Sequence, residues 1–150
     1  MLVIKKNSGP YQFRFDLPGG SQELGESMLE TLHREIIEET GYHVRSEKNN
    51  RIYSAWVYED ERMVVTHHIF NLYDIDLSDD QADLPEFVTD GKNDSDEALW
   101  ISLQELTENN SSPLIHKVIA EIKTYPDVDK VRIYKNWEVL TAYPTVVENN

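Results

Sequence analysis

Three glutamates, Glu35, Glu38 and Glu39, stand in the stretch REIIEETG. If that stretch is helical, spacings of three and four residues put their side chains on one face. Like charges so placed destabilise a helix by ~0.2–0.5 kcal/mol per pair, and a bound cation turns the same repulsion into attraction. An all-oxygen donor set suits a hard ion such as Mg²⁺ or Mn²⁺ rather than zinc. Mg²⁺ in particular takes phosphate oxygens alongside one or two carboxylates. Arg34, adjacent to Glu35, carries a planar fork that can orient a carboxylate. Upstream, Gly19 and Gly20 let the backbone run close to the helix, where a carbonyl of Gly20 could join the oxygens around an ion.

Those side chains need a frame. Ser27 and Glu30 form a capping box, which predicts a helix over Met28–Thr40 with Gly41 as its stop. Leu29, Leu32 and Ile36, with Ile37 beside them, make the expected core stripe, which sends the glutamates to the opposite side. LVIKK (Leu2–Lys6) reads as a strand and YQFRFDL (Tyr11–Leu17) alternates like a second, half-buried one. Arg51–Tyr58 and Met63–Ile75 read as a hairpin about EDER, and the second strand, apolar on both faces, is expected to be central. Ser78–Glu97 reads as a long acidic loop, followed by a short strand in ALWIS. Pro113–Tyr125 is an amphipathic helix with Leu114, Val118, Ile119 and Ile122 inward. KVRIY and WEVLTAY read as two short strands, and VVENN (Val146–Asn150) as a frayed end. The organisation is one domain over residues 1–150, of which 126–150 form a C-terminal extension.

Composition narrows the function. The chain of 150 residues carries 28 Asp and Glu against 14 Lys and Arg, a net charge of −14. Such a chain repels nucleic-acid backbones and anionic lipid, so neither is an expected partner. Cysteine is absent, which removes thiol chemistry and Cys-ligated zinc and fits a reducing cytoplasm. No apolar run approaches the roughly 20 residues of a membrane helix, and the N-terminus turns polar too early for a signal peptide.

Gly20, Glu26, Arg34, Glu35, Glu38, Glu39 and Gly41 fall in the register G-x5-E-x7-R-E-U-x-E-E-x-G-U, with Ile36 at the first bulky aliphatic position and Tyr42 at the last. This resembles the Nudix box, and the preceding DLPGG looks like the same family. More loosely the likeness runs from Leu2 to about Ile122, including Glu97, Trp100, Leu103, Glu105 and Leu106. The resemblance implies an α/β fold, a Nudix-type α/β/α sandwich with a mixed central sheet. It also implies a strand ahead of Leu2–Lys6, where this sequence has none, and KVRIY and WEVLTAY are expected to cover the edge so exposed, within the chain or across a homodimer.

The implied activity is Mg²⁺- or Mn²⁺-dependent attack of water on phosphorus in a nucleoside diphosphate linked to X, or in a nucleoside triphosphate. The substrate partner is thus a small nucleotide. Glu35, Glu38, Glu39 and Gly20 would hold the metal and Arg34 would brace a glutamate. The general base is either a box glutamate, Glu39, or an acid from a later loop, where Asp94, Asp96 and Glu97 offer themselves and Glu97 is favoured. Arg14 is a candidate for a phosphate. Tyr58 stands where dinucleoside polyphosphate hydrolases of the family tend to carry a tyrosine, and the proline typical of ADP-ribose hydrolases is absent there. His67 and His68 alternate on one strand, so at most one faces a cleft. The other class of function is a Nudix-fold sensor that binds a nucleotide without turnover, a reading that the intact box and the lack of a DNA-binding segment disfavour.

Overall fold

The capped helix forms as read. Helix α1 spans Met28–Thr40, with both halves of the Ser27–Glu30 capping box made, and Gly41 closes it in the left-handed region at φ 72°. The computed structural model describes residues 1–88 and 91–144, so the expected fraying at Val146–Asn150 lies outside the described residues.

Around α1 stand two three-stranded sheets rather than one central sheet. In the first, β1 (Leu2–Lys6) lies between β2 (Phe15–Asp16) and β7 (Ser95–Trp100), antiparallel to both. In the second, β3 (Val44–Glu59) lies between β4 (Val64–Leu77), antiparallel, and β8 (Arg132–Tyr134), parallel. A small hairpin, β5 (Phe87–Val88) with β6 (Gly91–Lys92), forms within the stretch expected to be loop. Helix α2 (Pro113–Ile122), capped by Ser112, completes a mixed α/β fold. Its core gathers Val3 of β1, Ile115 of α2 and Leu106, with Phe15, Leu17, Leu99 and Ile119 packed around them. No helix among the described residues is long and apolar enough to cross a membrane.

Several expectations need correction. Tyr11–Leu17 is not one strand: only Phe15–Asp16 pairs, because Phe13 takes a left-handed φ of 60° and folds Tyr11–Arg14 into a turn. Only part of the expected aliphatic stripe of α1 is buried: Ile36 is, and Leu32 is half-buried. Leu29 and Ile37 are exposed, while Thr31, Glu35, Ile36, Glu39 and Thr40 are buried. The helix packs with its carboxylates turned inward, and that burial is the first sign of a site. Strand β4 is not central but lies at the edge of its sheet, with Ile69 66% exposed on the outer face. Helix α2 ends at Ile122, which is exposed; Ile119 packs on the core as expected, and Pro113, Ile115, His116 and Lys117 are its fully buried residues. Of the two C-terminal strands, one forms and covers β3. Trp137–Tyr143 does not join the sheet: after a left-handed Asn136, it keeps one backbone bond, Trp137 N–H to the Tyr58 carbonyl at 2.7 Å, and then leaves β3.

Candidate active site

Helix α1 and the loop through Pro18–Ser21 line a cleft of about 730 Å³. Lys6 of β1, Asp16 of β2, Asn93 and Asp94 before β7, and His68, Phe70 and Leu72 of β4 line it as well. A space of that size is of the order that holds a nucleotide-sized ligand.

One guanidinium organises the carboxylates on this wall. Arg34 Nε donates to Glu26 at 2.6 Å, Nη1 to Glu35 at 2.7 Å and to Glu38 at 3.1 Å, and Nη2 to Glu26 and to the Ser21 carbonyl, each at 3.0 Å. The helix supplies Arg34, Glu35 and Glu38, so their mutual spacing follows from helical geometry. Glu26, just before the cap, is brought in by the turn that starts the helix and also accepts from the Thr31 hydroxyl. The Arg34 hydrogen bonds hold the Glu26 carboxyl down at about 2. At the far end of the helix Thr40 donates its hydroxyl to the Ile36 carbonyl.

Gly20 fits this arrangement for a steric reason. A Cβ there would overlap the Glu35 carboxylate, which lies against the glycine backbone. Any side chain at this position displaces a carboxylate of the cluster. Gly20→Ala is therefore expected to cut turnover by about tenfold or more, since ångström-scale misplacement of reacting groups costs on the order of 10²-fold. Initial rates over a Mg²⁺ titration check this, and a wild-type rate would show that Glu35 can lie elsewhere.

Glu39 has a different environment. It is 3% exposed, accepts the Gly19 N–H at 2.7 Å and lies 3.5 Å from the Lys6 ammonium. Burial pushes its carboxyl well above the usual range, and a hydrogen bond to Asp94 adds to this. Burial pushes Asp94 up as well, but the bond from Glu39 and the Lys6 ammonium at 2.5 Å outweigh it and leave Asp94 below its ordinary value. The contact between the two carboxyls thus pushes Glu39 up and Asp94 down. The segment bearing Asp94 is tied to the end of α1 through Asn93 to the Glu38 carbonyl at 2.7 Å and Ser95 to the Glu39 carbonyl at 3.2 Å.

Asp16 is the other buried acid of the cleft. Its carboxylate accepts from Ser112 Oγ at 2.5 Å and from Leu17 N–H at 2.8 Å, yet burial pushes it up to about 6 from 3.8. The folded state thus holds an extra proton between those values, so stability falls as pH rises from about 4 to about 6, and the loss is complete above that window. Asp16→Asn, which keeps an acceptor for Ser112, is expected to stabilise the metal-free protein at pH 8 by on the order of 2 kcal/mol. Thermal melts should show the gain at pH 8 and none near pH 3.5, and a destabilised variant at pH 8 would contradict it.

The sequence-derived candidates divide. Gly20, Glu35, Glu38 and Glu39 line the cleft together, and Arg34 braces them. Glu97 is not among its residues: on β7 it faces Lys5, 2.7 Å away. Lys5 and Lys6 point to opposite faces of β1, so Lys6 meets Asp94 and Glu39 while Lys5 takes Glu97 to the other side. The later-loop acid that reaches the cleft is Asp94. Arg14 is turned away from it, stacked on Trp137 at 4.3 Å and donating to the Glu138 carbonyl at 2.8 Å. Tyr58 lies on the outer face of β3 beside Trp56. Of the two histidines His68 faces the cleft, and His67 packs on Trp56. Lys6, Tyr11 and Asp16 were not singled out from sequence. Alternation along β1 could have paired Lys6 with the inner face, but only strand register says which face is inner.

Among the described residues, no three His, Asp or Glu side chains stand close enough to enclose an ion as they lie. Arg34 draws Glu35 and Glu38 to itself, and Lys6 and Gly19 hold Glu39. The donor set nonetheless fits a hard divalent cation in kind: Glu35, Glu38 and Glu39 are all carboxylates, beside a glycine that leaves room for no Cβ.

A family profile described as NUDIX domain matches residues 1–122, and the chain belongs to the Nudix family. Its fold is similar to that of the mutator MutT protein of Bacillus halodurans, with a TM-score of 0.54 at 22% identity over 93% of this chain and 86% of that one. A Nudix hydrolase of Nitrosomonas europaea gives a TM-score of 0.51 at 22% identity, over 88% of this chain and 69% of that one. In sequence, an ADP-ribose pyrophosphatase of Methanocaldococcus jannaschii is 49% identical over 41 residues, 27% of this chain and 24% of that protein. A protein of Bacillus subtilis (strain 168) provisionally named an 8-oxo-dGTP diphosphatase is 37% identical over 62 residues, 41% of this chain and 40% of that protein. The matched stretches thus span less than half the length of these curated relatives.

Proposed function

We propose that this chain is a divalent-metal-dependent pyrophosphohydrolase, which cleaves the P–O–P bond of a nucleoside diphosphate linked to X or of a nucleoside triphosphate. The observation that carries this reading is the Arg34-braced cluster of Glu35 and Glu38 against Gly20, on the wall of a nucleotide-sized cleft. The names of the short sequence matches, both enzymes of nucleotide anhydrides, support it.

Glu35, Glu38 and Glu39, with the Gly20 carbonyl, would hold Mg²⁺ or Mn²⁺. When bound, such an ion neutralises diphosphate charge and acidifies the attacking water. Arg34 fixes the directions of Glu35 and Glu38 and so lowers the reorganisation needed to present them. Lys6 offers a cation to the diphosphate beside Glu39 and Asp94. Asp94, held below its ordinary value by Glu39 and the Lys6 ammonium, can accept a proton from the water. The bond to the attacked phosphorus breaks toward the leaving phosphate, giving a nucleoside monophosphate and phospho-X, or a nucleotide and pyrophosphate.

The test is incubation with Mg²⁺ and a panel of nucleoside diphosphate-X and triphosphate compounds, with EDTA controls and chromatographic detection of the products. Metal-dependent cleavage of at least one compound is expected. Binding of nucleotides without cleavage of any would instead support the sensor reading.

A further inference from the structure

The family profile ends at residue 122, yet the chain beyond it grips one wall of the cleft. After β8 pairs with β3, the segment Trp137–Tyr143 runs over the turn between β1 and β2 and touches each residue from Pro10 to Arg14. Trp137 Nε1 donates to the Pro10 carbonyl at 2.9 Å, and its ring meets Tyr11 edge-on at 5.7 Å. Gln12 donates to the Leu140 carbonyl at 2.8 Å, Phe13 meets Tyr143 edge-on at 5.2 Å, and Arg14 stacks on Trp137. The turn needs such support, because Phe13 holds a left-handed φ of 60° that a bulky residue rarely adopts unaided.

The turn sets Tyr11, itself buried at 2% exposure, behind the cleft-facing His68. The Tyr11 hydroxyl lies 2.8 Å from His68 Nδ1, and the two rings are tilted with centroids 5.3 Å apart. Phe70, two residues further along the same face of β4, lines the cleft with them. The bond between the Tyr11 hydroxyl and Nδ1 fixes the orientation of the His68 ring. The half-buried rings of His68 and Phe70, backed by Tyr11, form a surface of the kind on which a nucleobase stacks.

We infer that His68 and Phe70 form the nucleobase subsite of the cleft, and that Tyr11 and, behind it, Trp137 in the C-terminal strap Arg132–Tyr143 are the positioning residues that hold it there. The inference rests on the nucleotide reading of the cleft proposed above, and adds which part of the ligand this wall meets and what sets the wall in place.

Equilibrium binding tests it independently of turnover. Calorimetric titration of the full chain with AMP, GMP, CMP and UMP, and with ribose 5-phosphate as a base-free probe, gives reference affinities. Trp137→Leu, Tyr11→Phe and His68→Leu are each expected to weaken the best-bound nucleoside monophosphate about tenfold and to leave ribose 5-phosphate within twofold. The Trp137→Leu and Tyr11→Phe losses should not add in the double variant, because the first acts through the second. Trp137→Phe, which keeps the ring edge on Tyr11 but loses the bond to Pro10, should give a smaller loss and covers the case in which Trp137→Leu does not fold. An unchanged nucleotide affinity in a folded Trp137 variant, or equal loss of both probes, would overturn the inference. Failure of the wild type to cleave any nucleotide while these shifts persist would overturn the proposed hydrolysis alone. Failure to bind any nucleotide would overturn both.

Discussion

Glu38→Gln is expected to lower kcat by ~10³-fold or more, on the scale seen when one charge-stabilising group is removed from a transition state. Glu38 takes no part in the aliphatic core. Its side chain accepts from Arg34 at 3.1 Å, and Gln, of the same shape, still offers an acceptor there. Its carbonyl, held by Asn93, is untouched by the substitution. The melting temperature should therefore move little while the rate collapses. Single-turnover rates and a thermal melt on the same preparation separate the two effects. A variant with wild-type turnover would show that the cluster is a structural ion-pair network and that hydrolysis, if any, happens elsewhere.

Arg34→Lys should have the second-largest effect, and on both fold and rate. The guanidinium spans Glu26, Glu35, Glu38 and the Ser21 carbonyl at once. An ammonium on a flexible stem is a point charge and cannot reproduce that fork, so at least two acceptors lose their donor. Turnover is expected to fall by ~10²-fold, through misdirected glutamates. The variant should also lose part of the acid sensitivity of the fold. Glu26 is depressed to about 2 from 4.5 by Arg34, so its contribution is present above about 4.5 and is lost as pH falls through about 2. Melting temperatures from pH 2 to pH 5 should accordingly vary less steeply in Arg34→Lys than in the wild type, and an unchanged slope would deny Arg34 this role.

The helix and its cluster were legible because their signals are local. A capping box, a left-handed glycine stop and spacings of three and four residues fix α1 without reference to the rest of the chain. What could not be read was which way that helix faces. Leu29, Leu32 and Ile36 suggested an aliphatic inner stripe, but only Ile36 of them is fully buried, and Glu35 and Glu39 turn inward beside it. The burial of Glu39 depends on Lys6 and Asp94, more than thirty and fifty residues away in the sequence. The same holds for the later acid. Glu97 and Asp94 differ only in which face of β7 and its lead-in they occupy, and a register set by β1 sends Glu97 to Lys5. Arg14 and Tyr58 looked available because the C-terminal strap, which engages Arg14 through Trp137 and Glu138, leaves no local mark on either.

In the proposed reaction, water attacks phosphorus at the glutamate cluster of α1 with the help of a divalent cation. Hydrolysis in ¹⁸O-labelled water with Mg²⁺, for wild type and Glu38→Gln side by side, tests it most directly by mass spectrometry of the phosphorylated products. The account predicts one ¹⁸O atom in a phosphoryl product of the wild type, formed only with the metal, and almost no product from the variant. Unlabelled phosphoryl groups, or equal labelled product from both proteins, would contradict it.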